Sequence, residues 1–348
     1  MIRLLVCRLS AMGDVILLLP VLKGVLDVNK NIEIYLLTRQ TFFPVFQNID
    51  RLHLISADLK ARHKGIAGLF RLYKEIKVDV NPDMVIDVHQ VIRTHILNLF
   101  FKASGCRIVT FDKGKKEKNK LIKTKVLNQL PTTTERYSGA FVKAGFKLRM
   151  PDLPVFPNSF PPEGIERIFR NGDTQPLLIG IAPFARHAQK VWGMERIEKL
   201  TGLVARRYDA TVILFGGGEN EIKQLNQIAD RQEHCVVSAN HFNLTQEIRL
   251  LPMLKIMISM DSANMHLASM AGVPTISIWG ATHPALGFAP YKQAAENMIQ
   301  YDGDELPCRP CSVYGNKKCI YNDIRCMEYI SVDAVMKRID QIISELYQ

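Results

Sequence analysis

Short, nearly unbroken apolar runs recur along this chain, separated by segments of helical spacing, and few folds accommodate that alternation. In the first half they lie at Ile2 to Leu9, Ile32 to Leu37, Met84 to His89 and Arg107 to Phe111. In the second they are "LLIGIA" (Leu177 to Ala182), "TVILFGGG" (Thr211 to Gly218), "CVVSA" (Cys235 to Ala239), "IMISMD" (Ile256 to Asp261) and "TISIWG" (Thr275 to Gly280). Between these latter runs, Glu195 to Tyr208, Asn220 to Arg231, Thr245 to Leu254 and His266 to Ala271 have helical character. Apolar strands alternating with helices predict parallel sheets covered on both faces. At 348 residues the chain exceeds one ordinary core, so two doubly wound α/β domains follow. The stretch "MPDLPVFPNSFPPEG", Met150 to Gly164, holds five Pro and sustains neither helix nor central strand. It predicts a division into residues 1–160 and 161–330. Residues 331–348 then form an amphipathic helix, with Val332, Val335, Ile339, Ile342, Ile343 and Leu346 on one stripe, expected to pack back on the first domain.

Charge is divided unevenly. The net +11 comes from residues 1–172, which hold 28 Lys and Arg against 15 Asp and Glu, while residues 173–348 hold 17 against 19. Much of the excess lies in "KGKKEKNKLIKTK", Lys113 to Lys125, read either as a solvated loop or as a surface for an anionic partner such as phospholipid, phosphorylated saccharide or nucleic acid. The longest apolar run, Val15 to Leu22, contains Pro20 and is far too short to span a membrane. Arg3 and Arg8 interrupt the N-terminal apolar stretch, which reads as a strand and not a signal peptide. Seven Cys without an export signal argue for reduced thiols or a metal site, hence a cytoplasmic protein.

Ligands of such sheets bind beyond the carboxyl ends of the strands, and there the unusual residues collect. "RLSAMGDVILLLP" sets Gly13 and Asp14 directly after the first strand. "FGGGENE" closes a strand with Gly216, Gly217 and Gly218 before an acidic helix start, which permits close backbone approach to an anion; Glu219 can accept from ribose hydroxyls. In "ISMDSANMHLASMAGVPTISIWGATHP" a buried strand ends in Asp261, Ser262, Ala263 and Asn264 as a helix begins, with Asp261 or Ser262 as its cap and His266 one turn in. Arg186 and Lys190 of "APFARHAQKVW" supply cations for a phosphate. Cys308, Cys311, Cys319 and Cys326 start with C-x-x-C; they could hold a structural zinc tetrahedrally or pack a loop as reduced thiols.

Taken together, "RLSAMGDVILLLP", the Lys190–Trp192 pair, "FGGGENE", "MDSANMHLASMAGVPTISIWGATHP" and "CRPCSVYGNKKCIYNDIRCMEYIS" resemble glycosyltransferase family 9, the ADP-heptose lipopolysaccharide heptosyltransferases. The resemblance implies the GT-B fold, two Rossmann-like domains facing each other across a cleft. It also implies an inverting transfer of heptose or a related sugar from an ADP-sugar donor, with no metal or other cofactor required for catalysis. On the matching positions Asp14 becomes the catalytic base, Lys190 a ligand of donor phosphate and Glu219 of ribose. Gly216, Gly217, Asp261, Ser262, Ala263, Asn264 and His266 complete the donor site. Ala263 stands where the family usually has Gly, and His283 where it often has Asp.

An inverting transfer needs a base that takes the acceptor proton, opposite the leaving nucleotide. A carboxylate at the tip of the first strand meets that need. Lys115, Lys116, Lys118 and Lys120 are expected to bind an anionic, lipid-linked inner-core saccharide, with the protein peripheral at the inner face of the inner membrane. Two other readings remain. A basic nucleic-acid-binding protein is disfavoured because the Lys run lacks interleaved aromatics. A nucleotide-sugar epimerase of the same fold is the second.

Overall fold

The computed structural model describes residues 1–156, 161–169, 177–301, 303 and 305–346. Within the proline-rich join, 157–160 lie outside the described residues, as do 347 and 348, the last two residues of the expected terminal helix. The chain forms two compact units, Met1–Lys115 with Pro131–Pro157, and Lys116–Leu130 with Asn158–Gln348.

The first unit contains β1 (Ile2–Cys7), α1 (Met12–Ile16), α2 (Leu19–Val28), β2 (Ile32–Thr38), β3 (Leu52–Ser56), α3 (Gly65–Asp79), β4 (Met84–Asp87), α4 (Ile92–Ala103) and β5 (Arg107–Thr110). Next comes α5 (Lys115–Thr124), most of which belongs to the second unit, and then α6 (Thr133–Ala144), which returns to the first. The second unit continues with β6 (Leu178–Ala182), α7 (Met194–Tyr208), β7 (Thr211–Leu214), α8 (Glu219–Ala229), β8 (Cys235–Val237), α9 (Leu244–Leu250), β9 (Ile256–Met260), α10 (Ala263–Met270), β10 (Thr275–Trp279) and β11 (Met298–Gln300). It ends in α11 (Arg325–Glu328) and α12 (Val332–Leu346).

Both sheets are parallel throughout, in the orders β3-β2-β1-β4-β5 and β11-β10-β9-β6-β7-β8. All nine expected strands form, each ending within a few residues of its apolar run. The sequence reading missed β3, whose residues are only half-buried, and the three-residue edge strand β11. In each sheet the chain winds outward one way, returns to the middle and winds outward the other way. The reversal falls between β1 and β4 in the first sheet and between β6 and β9 in the second. Crossovers on either side of such a point leave a crevice at the carboxyl ends of the two middle strands.

In the second sheet β6, β9 and β10 are buried from end to end, and in the first β1 is buried from Leu4 and β4 from Val85 onward, because helices cover both faces. In the first unit Leu5, Leu69, Leu72, Ile76, Val85, Leu97 and Phe101 form the core beneath α3 and α4. In the second, Ile179, Trp192, Val212, Ile258 and Ile278 are joined by Val332, Val335, Ile339 and Ile342 of α12. The terminal helix packs in the second core, where its apolar stripe meets α7 and β10.

The basic stretch differs from expectation. Instead of a loop of the first domain it is a helix, α5, whose Leu121 packs on Ala285 and Leu286 of the second unit. Lys118 is buried with its ammonium 4.2 Å from the centre of the Phe288 ring, so it is no surface cation. Lys115, Lys116 and Lys120 are exposed.

Pro20 does not disturb the start of the chain, because α1 stops at Ile16 and Pro20 falls in the first turn of α2, where a missing N–H costs nothing. Later in α2, a Cβ on Gly24 would lie 2.2 Å from the Arg149 carbonyl oxygen, whereas one on Gly139, exposed in α6, would meet nothing within 4 Å. Alanine should act oppositely at the two sites. Gly139→Ala should stabilise by about 0.5–1 kcal/mol through helix propensity, and Gly24→Ala should destabilise by about 1–3 kcal/mol through overpacking, both read from urea midpoints.

Candidate active site

Each switch point gathers charged side chains. In the first unit Asp14 is the third residue of α1, and the helix has no side-chain cap. Its carboxylate turns instead to Arg8, with Oδ2 2.5 Å from Nη2. Arg8 is buried and held from three sides: Nη1 donates to the Val88 carbonyl at 2.6 Å, and the guanidinium lies 5.7 Å from the centre of the Tyr137 ring. The Tyr137 hydroxyl in turn donates to the Asp14 carbonyl at 3.3 Å. Asp14 thus has a fixed carboxylate with 27% of its side chain still exposed, the geometry of an accessible but oriented proton acceptor.

Beside it, at the end of β4, stands a group that sequence reading missed. Asp87 is fully buried and accepts from the His89 and Gln90 backbone amides and from Asn98 Nδ2, each at 2.8 Å. That network fixes the loop carrying His89, whose Nε2 lies 3.4 Å from Ser10 Oγ. Burial first, then the charges of Arg8, Lys113, Arg39 and Arg93, push the His89 imidazole down to about 3. Lys113 donates to the Gln90 carbonyl at 2.6 Å, and burial lowers its pKa. Among the described residues Arg39 and Arg93 have no carboxylate partner. The crevice is therefore cationic around one carboxylate pair and a neutral imidazole. The signal was present in "MVIDVHQVIR", where a polar cluster closes an apolar run.

In the second unit Lys190 ends a short turn, Ala188–Lys190, after β6, and Asp261 follows β9. They meet across the switch point with Lys190 Nζ 2.7 Å from Asp261 Oδ2, and Thr282 Oγ1 donates to the same oxygen at 2.7 Å. Asp261 is therefore not the cap of α10. Ser262 occupies the cap position without a capping hydrogen bond, its Oγ lying 3.2 Å from that of Ser259. The first amides of α10, around Ala263 and Asn264, are left for another acceptor, and such an N-terminus favours an anion. His266 is buried in the first turn of α10.

The glycines after β7 divide their tasks. Gly216 is packed too tightly for a Cβ, against Leu225 and Phe184, and Gly218 has φ +82°, while Gly217 faces open space and its amide donates to Glu221 at 2.9 Å. Glu219, first residue of α8, is exposed.

His283 takes over a structural role. Its Nδ1 accepts from the Ala285 amide at 3.0 Å and caps the turn Pro284–Leu286; burial first, then Arg309, lowers it to about 4. Arg309, also unanticipated, is buried and donates to the carbonyls of Gly280 (2.7 Å), Trp279 (3.2 Å), Thr282 (3.4 Å) and Tyr301. It pins the segment that presents Thr282 to Asp261. Cys308, Cys311, Cys319 and Cys326 line one cavity behind this segment. Among the described residues no three His, Cys, Asp or Glu side chains are grouped as metal ligands, while the Cys311 and Cys308 thiols are joined by a hydrogen bond. The loop is tied down in other ways as well: the Cys311 amide donates to the Ala281 carbonyl at 2.8 Å, and Lys125 donates to the Cys308 and Pro310 carbonyls, each at 2.8 Å.

Two doubly wound units, each with its charged side chains collected at one switch point, make this an α/β protein of the GT-B class. Residues 70–318 match the model of glycosyltransferase family 9 (heptosyltransferase), and the chain belongs to that family. It is 23% identical over 302 residues to the lipopolysaccharide core heptosyltransferase OpsX of Haemophilus influenzae, covering 86% of this chain and 84% of the relative. The crystal structure of a family 9 glycosyltransferase from Veillonella parvula superposes with a TM-score of 0.74 at 19% identity, over 99% of this chain and 97% of the other. Escherichia coli heptosyltransferase WaaC, solved with ADP, gives 0.67 at 18% identity, over 98% and 100%.

Two imidazoles held neutral have a consequence for stability. Each is protonated in the unfolded chain below pH about 6.5 but resists protonation in the folded one. Unfolding thus takes up protons as pH falls from about 6.5 toward 4 for His283 and toward 3 for His89, and stability is lost across that window. Replacing His89 by Gln and His283 by Asn should flatten the acid limb of a urea-midpoint profile, by on the order of 1–2 kcal/mol each after allowance for partial solvent screening.

Proposed function

We propose that this family 9 enzyme transfers heptose, or a closely related sugar, from an ADP-linked donor to an anionic, lipid-linked saccharide of the lipopolysaccharide core, with inversion and without a catalytic metal. The observation that carries the reading is the Arg8–Asp14 pair at the tip of β1, an oriented, partly exposed carboxylate at a switch point. The acceptor hydroxyl attacks the anomeric carbon of the donor as its proton passes to Asp14, and the C–O bond to ADP breaks on the opposite face. Arg8 holds the carboxylate in place. Lys190 and the open N-terminus of α10 meet the charge that develops on the departing diphosphate, and Glu219 accepts from the ribose.

An anionic acceptor is supported by the cations around His89, where Arg39, Arg93 and Lys113 exceed the available carboxylates. The ADP donor is supported by family membership and by the likeness to a fold solved with ADP. Work on such an acceptor places the enzyme in the cytoplasm, peripheral at the inner membrane.

Asp14→Asn should lower turnover by roughly 100-fold or more while leaving donor affinity nearly unchanged, because a positioned base acts only in the transition state. Near-normal turnover in that variant, measured by ADP release with extracted lipopolysaccharide core, would remove Asp14 from the mechanism.

The donor site divides in a way calorimetry can read. Lys190→Ala should weaken ADP about tenfold or more and adenosine much less, since the ammonium answers the phosphates, whereas Glu219→Ala should weaken both ligands. Equal losses of ADP and adenosine in Lys190→Ala would refute the assignment.

A further inference from the structure

Helix α4 is apolar on two sides. Leu97 and Phe101 enter the core, as a covering helix requires. Its opposite crest carries Ile92, Leu99 and Ala103, with Ile96, half-buried against the same core, between Ile92 and Leu99 in that row. Ile92 is 79% and Leu99 65% exposed. Neighbouring α3 adds Ile66, 67% exposed, and Phe70, 41% exposed, whose ring meets that of Phe100 edge-on at 5.3 Å and so joins the two ridges. Five of the fifteen large apolar side chains exposed among the described residues belong to these two helices, counting Val78. Scattered exposed apolar residues are ordinary, whereas a continuous row on a helix already packed on its other side calls for an occupant.

The flanks say which occupant. Lys102 and Arg93 border the α4 crest, which bears no carboxylate, and Lys74 and Arg71 border that of α3, with the Lys74 ammonium 4.8 Å from the centre of the Phe70 ring. The one acid within α3's central turns, Glu75, is already bound to Arg62 and His63. An apolar ridge fringed by long cationic side chains matches an anionic lipid surface: the ridge enters the acyl boundary, and Lys and Arg reach back to phosphate. A second copy of the chain fits poorly, because a two-fold contact would set the same cations against each other. Both helices start at the carboxyl edge of their sheet, so Ile66 and Ile92 border the edge that carries Asp14 and His89.

We propose that the outer face of α3 and α4 is the surface by which this enzyme docks on anionic phospholipid, bringing the crevice of the first unit to a membrane-embedded acceptor. This rests on the lipid-linked acceptor reading above, and it moves the docking surface from the expected α5 lysines to α3 and α4.

Co-sedimentation tests it, with vesicles containing phosphatidylglycerol and with vesicles of phosphatidylcholine alone. The intact protein should sediment with the former, less so at high salt, and little with the latter. The triple variant Ile66→Gln, Ile92→Gln, Leu99→Gln changes exposed positions and keeps helix propensity. It should lower partitioning at least about tenfold, with the melting temperature and ADP affinity held. Lys74→Glu with Lys102→Glu should weaken binding and reduce its salt dependence, while Lys115→Gln, Lys116→Gln, Lys120→Gln together should leave it as in the intact protein.

The proposal is overturned if the intact protein ignores the anionic vesicles or if the triple variant sediments normally. It is also overturned if the α5 variant alone loses binding, or if the triple variant converts a solution dimer to monomers. Turnover on a deacylated, water-soluble core saccharide is the separate control: failure there rejects the glycosyl transfer reading and leaves the sedimentation result standing.

Discussion

Parallel pairing is the constraint from which the rest of this molecule follows. Strands that all run one way must be joined by crossovers, the crossovers lie as helices on both faces, and the only polar surface left to a sheet is its two edges. Winding outward twice from the middle opens one gap at the carboxyl edge. Buried charges tolerate such a place only when paired or hydrogen-bonded, and both gaps obey this rule. Arg8 with Asp14 and Lys190 with Asp261 are pairs in which one member is pinned by the scaffold and the other is left partly addressable by a ligand.

The support behind each pair matters as much as the pair. Asp87 has its hydrogen-bonding capacity taken up by two amides and Asn98, which makes it a brace for the β4 loop and not a reactive acid. Arg309 does the same for the loop after β10 by gathering the carbonyl groups of Trp279, Gly280 and Thr282. A lysine could not replace it, since a point charge with three donors cannot span a fork of that width. His283 braces its own turn in a similar way, its imidazole nitrogen taking the capping part that a carboxylate oxygen can also play.

Much of this was legible in the sequence because it depends on local pattern. The strands β1, β6, β9 and β10 were readable since burial on both faces leaves mostly apolar side chains, and Asp14, Lys190 and Asp261 stood out as charges that follow such runs. What was not legible depends on partners distant in the chain. Nothing within Lys113 to Lys125 reveals that Phe288 covers Lys118, and α12 is equally amphipathic whichever core receives it. The strand β3 escaped notice because an edge position relaxes the demand for apolar residues. Cysteine spacing gives the order of the thiols, but not that their loop gathers all four around one cavity.

The chain crosses between its units more often than two domains in series would require. Residues Lys116–Leu130 leave the first unit, join the second and hand the chain back at Pro131. On the ribosome, α5 therefore emerges long before Ala285, Leu286 and Phe288, the side chains on which it rests. Until they arrive, Leu121 and the stem of Lys118 lack the surface that covers them in the folded protein. The burial of Leu121 and Lys118 thus depends on side chains that lie far downstream in the chain.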